Sequence, residues 1–158
     1  MNKKQAIIKK KVYILLLILS TGTCLAGNPM FRGTWKGYIL SKSLDDDNKK
    51  GLPVTLYIVD DNDAGDLVGE MSIQYKYQTD IYKAKYKVSG SIDYDEYTMY
   101  IRQEKLVYYD LLPKGLQWCF GSGNYKIFRN SYKKKIYIDG YMTTDCGNEK
   151  IRMILIKK

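Results

Sequence analysis

From Gly33 to the end of the chain, apolar and polar residues change places at nearly every step. This period of two limits the fold more than any other feature of the 158 residues. Trp35, Gly37 and Ile39 share one side against Lys36 and Tyr38. Val54, Leu56 and Ile58 alternate with Thr55 and Tyr57, and Leu67, Gly69, Met71, Ile73 and Tyr75 with Val68, Glu70, Ser72 and Gln74. Tyr82, Ala84, Tyr86 and Val88 are spaced by Lys83, Lys85 and Lys87, which marks a wet face directly. The rhythm continues through Tyr97, Met99 and Ile101, then Leu116, Trp118 and Phe120, a stretch around Tyr125–Arg129, Ile136 to Met142, and Ile151 to Leu155. Successive strand residues point to opposite faces, so such alternation predicts half-buried β-strands. The enrichment in β-branched residues and tyrosine agrees.

Turn-forming clusters separate these runs: Asp45-Asp46-Asp47-Asn48, Asp60 to Gly65, Ser89-Gly90, Asp93 to Glu96, Pro113-Lys114-Gly115, Gly121 to Asn124, Asn130-Ser131, and Asp145 to Asn148. Each is read as a hairpin connection on its Gly, Asn, Asp or Pro content. No window carries a convincing apolar stripe of helical period. Short strands joined by short turns favour an antiparallel up-and-down meander of about eight or nine strands, either a barrel or a curled sheet. Closure would also remove the exposed edges.

The first 26 residues read as a secretory leader, leaving 27–158 as a single β-domain. Lys3 to Lys11 form a basic region, and Val12 to Leu19 an apolar one of eight residues. That is too short to span a bilayer. Cleavage after Ala26 fits the small residues there. Thr21-Gly22-Thr23-Cys24 also resembles a bacterial lipobox, which would make Cys24 a lipidated first residue. Either way Cys119 and Cys146 are left as partners for each other, and an oxidising compartment favours a disulfide between them. Export to the periplasm, the outer membrane surface or the medium is the expectation.

Histidine is absent, so no Ser-His-Asp or Cys-His nucleophile system and no His-ligated metal site can be built. The formal charge of +9 overstates any attraction to anions. Five lysines lie in the acid-free leader, and the remainder holds 21 basic and 17 acidic residues, a net of +4. That argues against a nucleic-acid partner. The acidic turn fails as an EF-hand loop: with Gly65 at position 6, Ala64 falls at position 5 and Met71 at position 12, where oxygen ligands are required. Glu70 and Glu104, the remaining acid/base candidates, fall on the polar side of their runs. No catalytic residue, metal or cofactor is expected.

Gly33-Thr34-Trp35 resembles the G-x-W motif of the lipocalins and wider calycin barrels. The resemblance implies an eight-stranded barrel for a small apolar ligand, with the tryptophan closing one end. A basic residue near the last strand packs over the indole in those families, and Arg152 matches it here. A wider resemblance, in Gly33-x-Trp35-x-Gly37, Trp118-Cys119, Gly140-Tyr141, Cys146-Gly147 and Lys157-Lys158, is to a group of small exported bacterial β-proteins. It implies the location, and a cysteine bridge across the last strands, without an activity.

The sequence therefore suggests a non-enzymatic binding barrel. Its candidate cavity is lined by Trp35, Leu56, Met71, Tyr86, Met99 and Trp118, with Gly37, Gly69 and Gly140 leaving room on the same face or marking bulges. The alternative is an interaction or inhibitor module with an envelope protein partner. It would use the outer face, where many of the 16 tyrosines interleave with lysine and arginine. Membrane contact is expected only through Cys24.

Overall fold

The computed structural model describes residues 31–61 and 65–158. The leader, both cleavage alternatives including Cys24, and Asn62 to Ala64 of the acidic turn lie outside the described residues. Eight antiparallel strands follow one another: β1 (Gly33–Leu40), β2 (Leu52–Asp61), β3 (Asp66–Tyr77), β4 (Asp80–Asp93), β5 (Thr98–Tyr109), β6 (Gly121–Asn130), β7 (Lys135–Thr144) and β8 (Gly147–Lys157). Each pairs with its sequence neighbour, and β8 returns to β1, so the sheet is a closed up-and-down barrel. The only helical piece among the described residues is a single 3-10 turn, Asp46–Asn48.

The alternation maps onto the inside and outside of this wall. Trp35, Leu56, Met71 and Tyr86 face one another in register across β1 to β4. Met99 stands beside Ile92 and Tyr125 on the neighbouring strands. All seven are buried in one continuous core that also holds Ile101, Ile127, Ile138, Met153 and Leu155. An eight-stranded barrel is just wide enough to be filled by its own side chains or to hold one small ligand, and below its mouth this one is filled by side chains. At the floor Phe31 is fully buried, its carbonyl accepting from Trp35 Nε1 at 2.9 Å, and its ring packs on Tyr94.

The inward glycines do not open space for a ligand. A Cβ at Gly37, Gly69 or Gly140 would collide with a backbone carbonyl oxygen of the adjacent strand, that of Ile154, Tyr57 or Asn124. These positions let strands approach closely where the wall coils. The same reason corrects two turn assignments. Ser89-Gly90 lies inside β4, where a Cβ at Gly90 would strike the Tyr100 carbonyl, and Gly121 to Asn124 opens β6. Conversely, Leu116, Trp118 and Phe120 alternate like a strand but belong to the connection between β5 and β6. Tyr97, expected inside, has a φ of 50° in the turn before β5 and is exposed.

Candidate functional site

The barrel is open at the end away from Phe31. There residues of β1 to β5, β7 and β8 surround a cavity of about 210 Å³. Ile39, Leu52, Ile73, Tyr86, Met142 and Ile151 form its wall, and Leu112, Leu116 and Trp118 reach over it from the β5–β6 connection. Leu44, in the β1–β2 loop, completes the rim. No lysine, arginine, aspartate or glutamate lines the space. The apolar residues that looked like a strand in sequence are thus a cover for the mouth.

Of the six residues expected to line a cavity, Tyr86 and Trp118 do so. Trp35, Leu56, Met71 and Met99 are buried beneath it as packing, because the barrel narrows onto its own side chains there. Arg152 is not the residue over the Trp35 indole. It forms a two-point ion pair with Asp139 on the outer wall, at 2.9 and 2.6 Å. Lys157, the penultimate residue, places its Nζ 5.8 Å from the Trp35 ring centroid instead. The alternation of β8 puts Arg152 outward while Lys157 reaches around the floor.

Three sets of contacts hold the cover. Cys119 and Cys146 are joined by a disulfide with Cα atoms 5.7 Å apart, tying the β5–β6 connection to the β7–β8 turn rather than bridging two strands. Phe120 and Asp145 exchange hydrogen bonds beside it: Phe120 N donates to Asp145 Oδ1 at 2.8 Å, and Asp145 N to the Phe120 carbonyl at 2.9 Å. Tyr86 donates its hydroxyl proton to the Cys119 carbonyl at 3.0 Å, and Trp118 Nε1 donates to the Asp110 carbonyl at 2.8 Å. Burial, and secondarily the charge of Asp145, push the Tyr86 phenol well above its ordinary pKa, so it stays a neutral donor.

The opposite rim is fixed by Asn48, buried although it sits among aspartates. Its amide donates to Asp45 Oδ1 at 2.6 Å and to the Lys76 carbonyl at 2.7 Å, and accepts from Lys76 N at 3.1 Å. Tyr75, which also lines the cavity, donates to Asp45 Oδ2 at 2.5 Å. Burial and then this carboxylate push the Tyr75 pKa up to about 12. The Tyr75 hydroxyl in return holds Asp45 below the usual carboxylate range.

Most of the lining lies outside the six residues that the sequence singles out, and its buried polar member is among them. Gln103, on the inward side of β5, is 5% exposed. Its Oε1 accepts from Gly121 N at 2.7 Å, which fixes the amide orientation, and its Nε2 points at Met71 Sδ, 3.2 Å away. The signal was present: with Arg102 and Glu104 on the wet face, the residue between them must face in.

The acid/base candidates stay apart from the cavity. Glu70 pairs with Lys85 at 3.2 Å, and Glu104 binds Arg102 and Ser89, all on the outer wall. Among the described residues one group of three metal-capable side chains occurs, Cys119, Asp145 and Cys146, but its two sulfurs are joined to each other and offer no thiolate.

Fold and site together define a closed eight-stranded β-barrel with a covered apolar cavity at one mouth. No protein-family model matches the chain, and neither a curated protein nor a solved structure matches it.

Proposed function

We propose that this chain is an exported, non-enzymatic container of the bacterial envelope that holds one small apolar ligand at the barrel mouth. The observation carrying this reading is the cavity of about 210 Å³ with no charged side chain in its lining, roofed by a loop that a disulfide fastens down. An apolar space of about 150 Å³ suffices for benzene, so this one suits a body of about ten non-hydrogen atoms. The G-x-W likeness to lipocalins and the leader-like first 26 residues support the same reading, and the disulfide is compatible with an oxidising compartment. The cover explains why the ligand would need no charge: binding comes from apolar area removed from water.

Calorimetric titration with naphthalene tests it. Saturable one-to-one binding is expected. Leu116→Glu, in the exposed part of the cover, should weaken it at least tenfold while leaving the melting temperature within about 2 °C. Absence of saturable binding, together with native mass spectra free of any co-purified ligand, removes the proposal.

The interaction reading has less behind it. The exposed tyrosines, Tyr38, Tyr57, Tyr77, Tyr97, Tyr108, Tyr109, Tyr132 and Tyr141, come from five of the eight strands and from two turns. The outer wall brings Phe128 and Tyr137 into a stacked pair, 5.4 Å between centroids, but among lysines and arginines rather than in a broad aromatic field.

A further inference from the structure

Gln103 is the one deeply buried polar side chain on the cavity wall, and it is incompletely satisfied. A glutamine amide offers two N–H donors and one carbonyl acceptor. The carbonyl of Gln103 is occupied by Gly121 N at 2.7 Å, and this bond leaves the NH2 group no freedom to exchange places with it. Of the two N–H groups, one faces Met71 Sδ at 3.2 Å, and a thioether is a weak acceptor. The other has no protein acceptor among the described residues. Leaving a buried donor unmade is unfavourable, and the surrounding lining is almost wholly hydrocarbon and aromatic.

The charges around the mouth narrow the choice of acceptor. No cation lines the cavity to balance an anionic head group. The acids nearest the rim, Asp45 at Tyr75 and Asp145 at Phe120, oppose one. A carboxylate ligand would therefore surrender its hydration without a counter-charge, which is strongly unfavourable. A neutral oxygen needs only the hydrogen bond.

From this geometry we infer that Gln103 selects the ligand: a neutral, mainly hydrocarbon molecule carrying a single carbonyl-type oxygen, which accepts the free Nε2–H of Gln103. The inference rests on the container reading above. It makes Gln103 a specificity-determining residue, with Tyr86 and Trp118 supplying the flat apolar wall alongside.

The experiment uses the full protein, with 2-nonanone as the neutral ketone, nonanoate at pH 8 as the anion and naphthalene as the pure hydrocarbon. Affinities come from calorimetry, and the Gln103 side-chain amide is followed by 1H–15N NMR. The ketone is expected to move a Gln103 amide proton downfield, naphthalene to leave both near their free positions, and nonanoate to bind at least tenfold more weakly than the ketone. Gln103→Met keeps the length of the side chain without an N–H. It should lower ketone affinity about tenfold while changing naphthalene affinity less than threefold. If naphthalene binds but the ketone leaves the Gln103 amide unmoved, or if nonanoate binds as tightly as the ketone, the inference is overturned and the container survives. If no probe binds, both fall. The NMR measurement on the unaltered protein decides the matter even if Gln103→Met does not fold.

Discussion

The Cys119–Cys146 disulfide joins residues 27 apart in the chain, and its two ends lie in a connection and a turn rather than in the wall. Cys146 is exposed and Cys119 half-buried, so replacing both by serine removes little packing. The main loss is the constraint on the unfolded chain. Closing a loop of that length removes about 12 cal/mol/K from the denatured ensemble, which is about 3.5 kcal/mol at room temperature. A folded chain of about 130 residues unfolds with an entropy near 0.27 kcal/mol/K, so the melting temperature should fall by about 13 °C. Differential scanning calorimetry of Cys119→Ser/Cys146→Ser against the parent measures this. Urea unfolding supplies a second reading, because an uncrosslinked denatured state exposes more surface and should raise the m-value. A drop below about 4 °C with an unchanged m-value would refute the reasoning. It would mean that the Phe120–Asp145 pair and the Tyr86 hydroxyl already fasten the cover, and that the bridge constrains little.

Gly37→Ala should destabilise the barrel by about 3 kcal/mol, measured by urea midpoint, because its Cβ has the rigid Ile154 carbonyl in its way and not a movable side chain. Asn48→Ala should cost about 2–3 kcal/mol, since it strands the Lys76 amide and carbonyl and loosens the Asp45 carboxylate. Hydrogen exchange at Lys76 should accelerate in that variant before exchange in β7 does. The raised Tyr75 pKa sets an alkaline limit. A group held neutral in the fold up to about 12 contributes its full stability below its ordinary value near 10 and loses it as the pH climbs through 12. Stability should therefore decline between pH 10 and 12. Tyr75→Phe should flatten part of that decline, read from urea midpoints at pH 9, 10, 11 and 12. Asp45 is lowered, so its contribution is present at neutral pH and is lost as acid takes the pH down through its folded value, below the usual carboxylate range.

The wall of the barrel was legible because each inward position repeats every second residue, and burial of one face forbids slippage by one. Lys83, Lys85 and Lys87 pinned β4 outward, and Trp35 to Ile39 pinned β1. The errors came where residue type had two meanings. Gly and Ser at 89, 90, 121 and 123 read as turns by composition, whereas glycine at 90 and 123 admits the neighbouring backbone inside a strand. Leu116, Trp118 and Phe120 obey strand spacing, yet Leu116 and Trp118 cover an opening and Phe120 packs its ring on Tyr86. Local pattern does not distinguish burial against a sheet partner from burial over a mouth. The cavity itself was only partly readable, since Tyr86 and Trp118 line it while Trp35, Leu56, Met71 and Met99 do not. How far core side chains rise before empty space begins depends on the tilt and stagger of all eight strands at once. Asn48 was hidden among three aspartates in what reads as an ordinary wet turn.

Closure of β8 onto β1 has a further outcome for orientation. Lys158 N donates to the Thr34 carbonyl at 3.0 Å, so the last residue and the entry to β1 sit side by side beneath Trp35. Anything attached ahead of Phe31 or behind Lys158 joins the protein at its sealed base, at the far pole from the cavity. Were the chain tethered through Cys24, the seven-residue reach to Phe31 is at most about 25 Å. Such a tether would attach at this base and leave the cavity at the opposite end of the barrel.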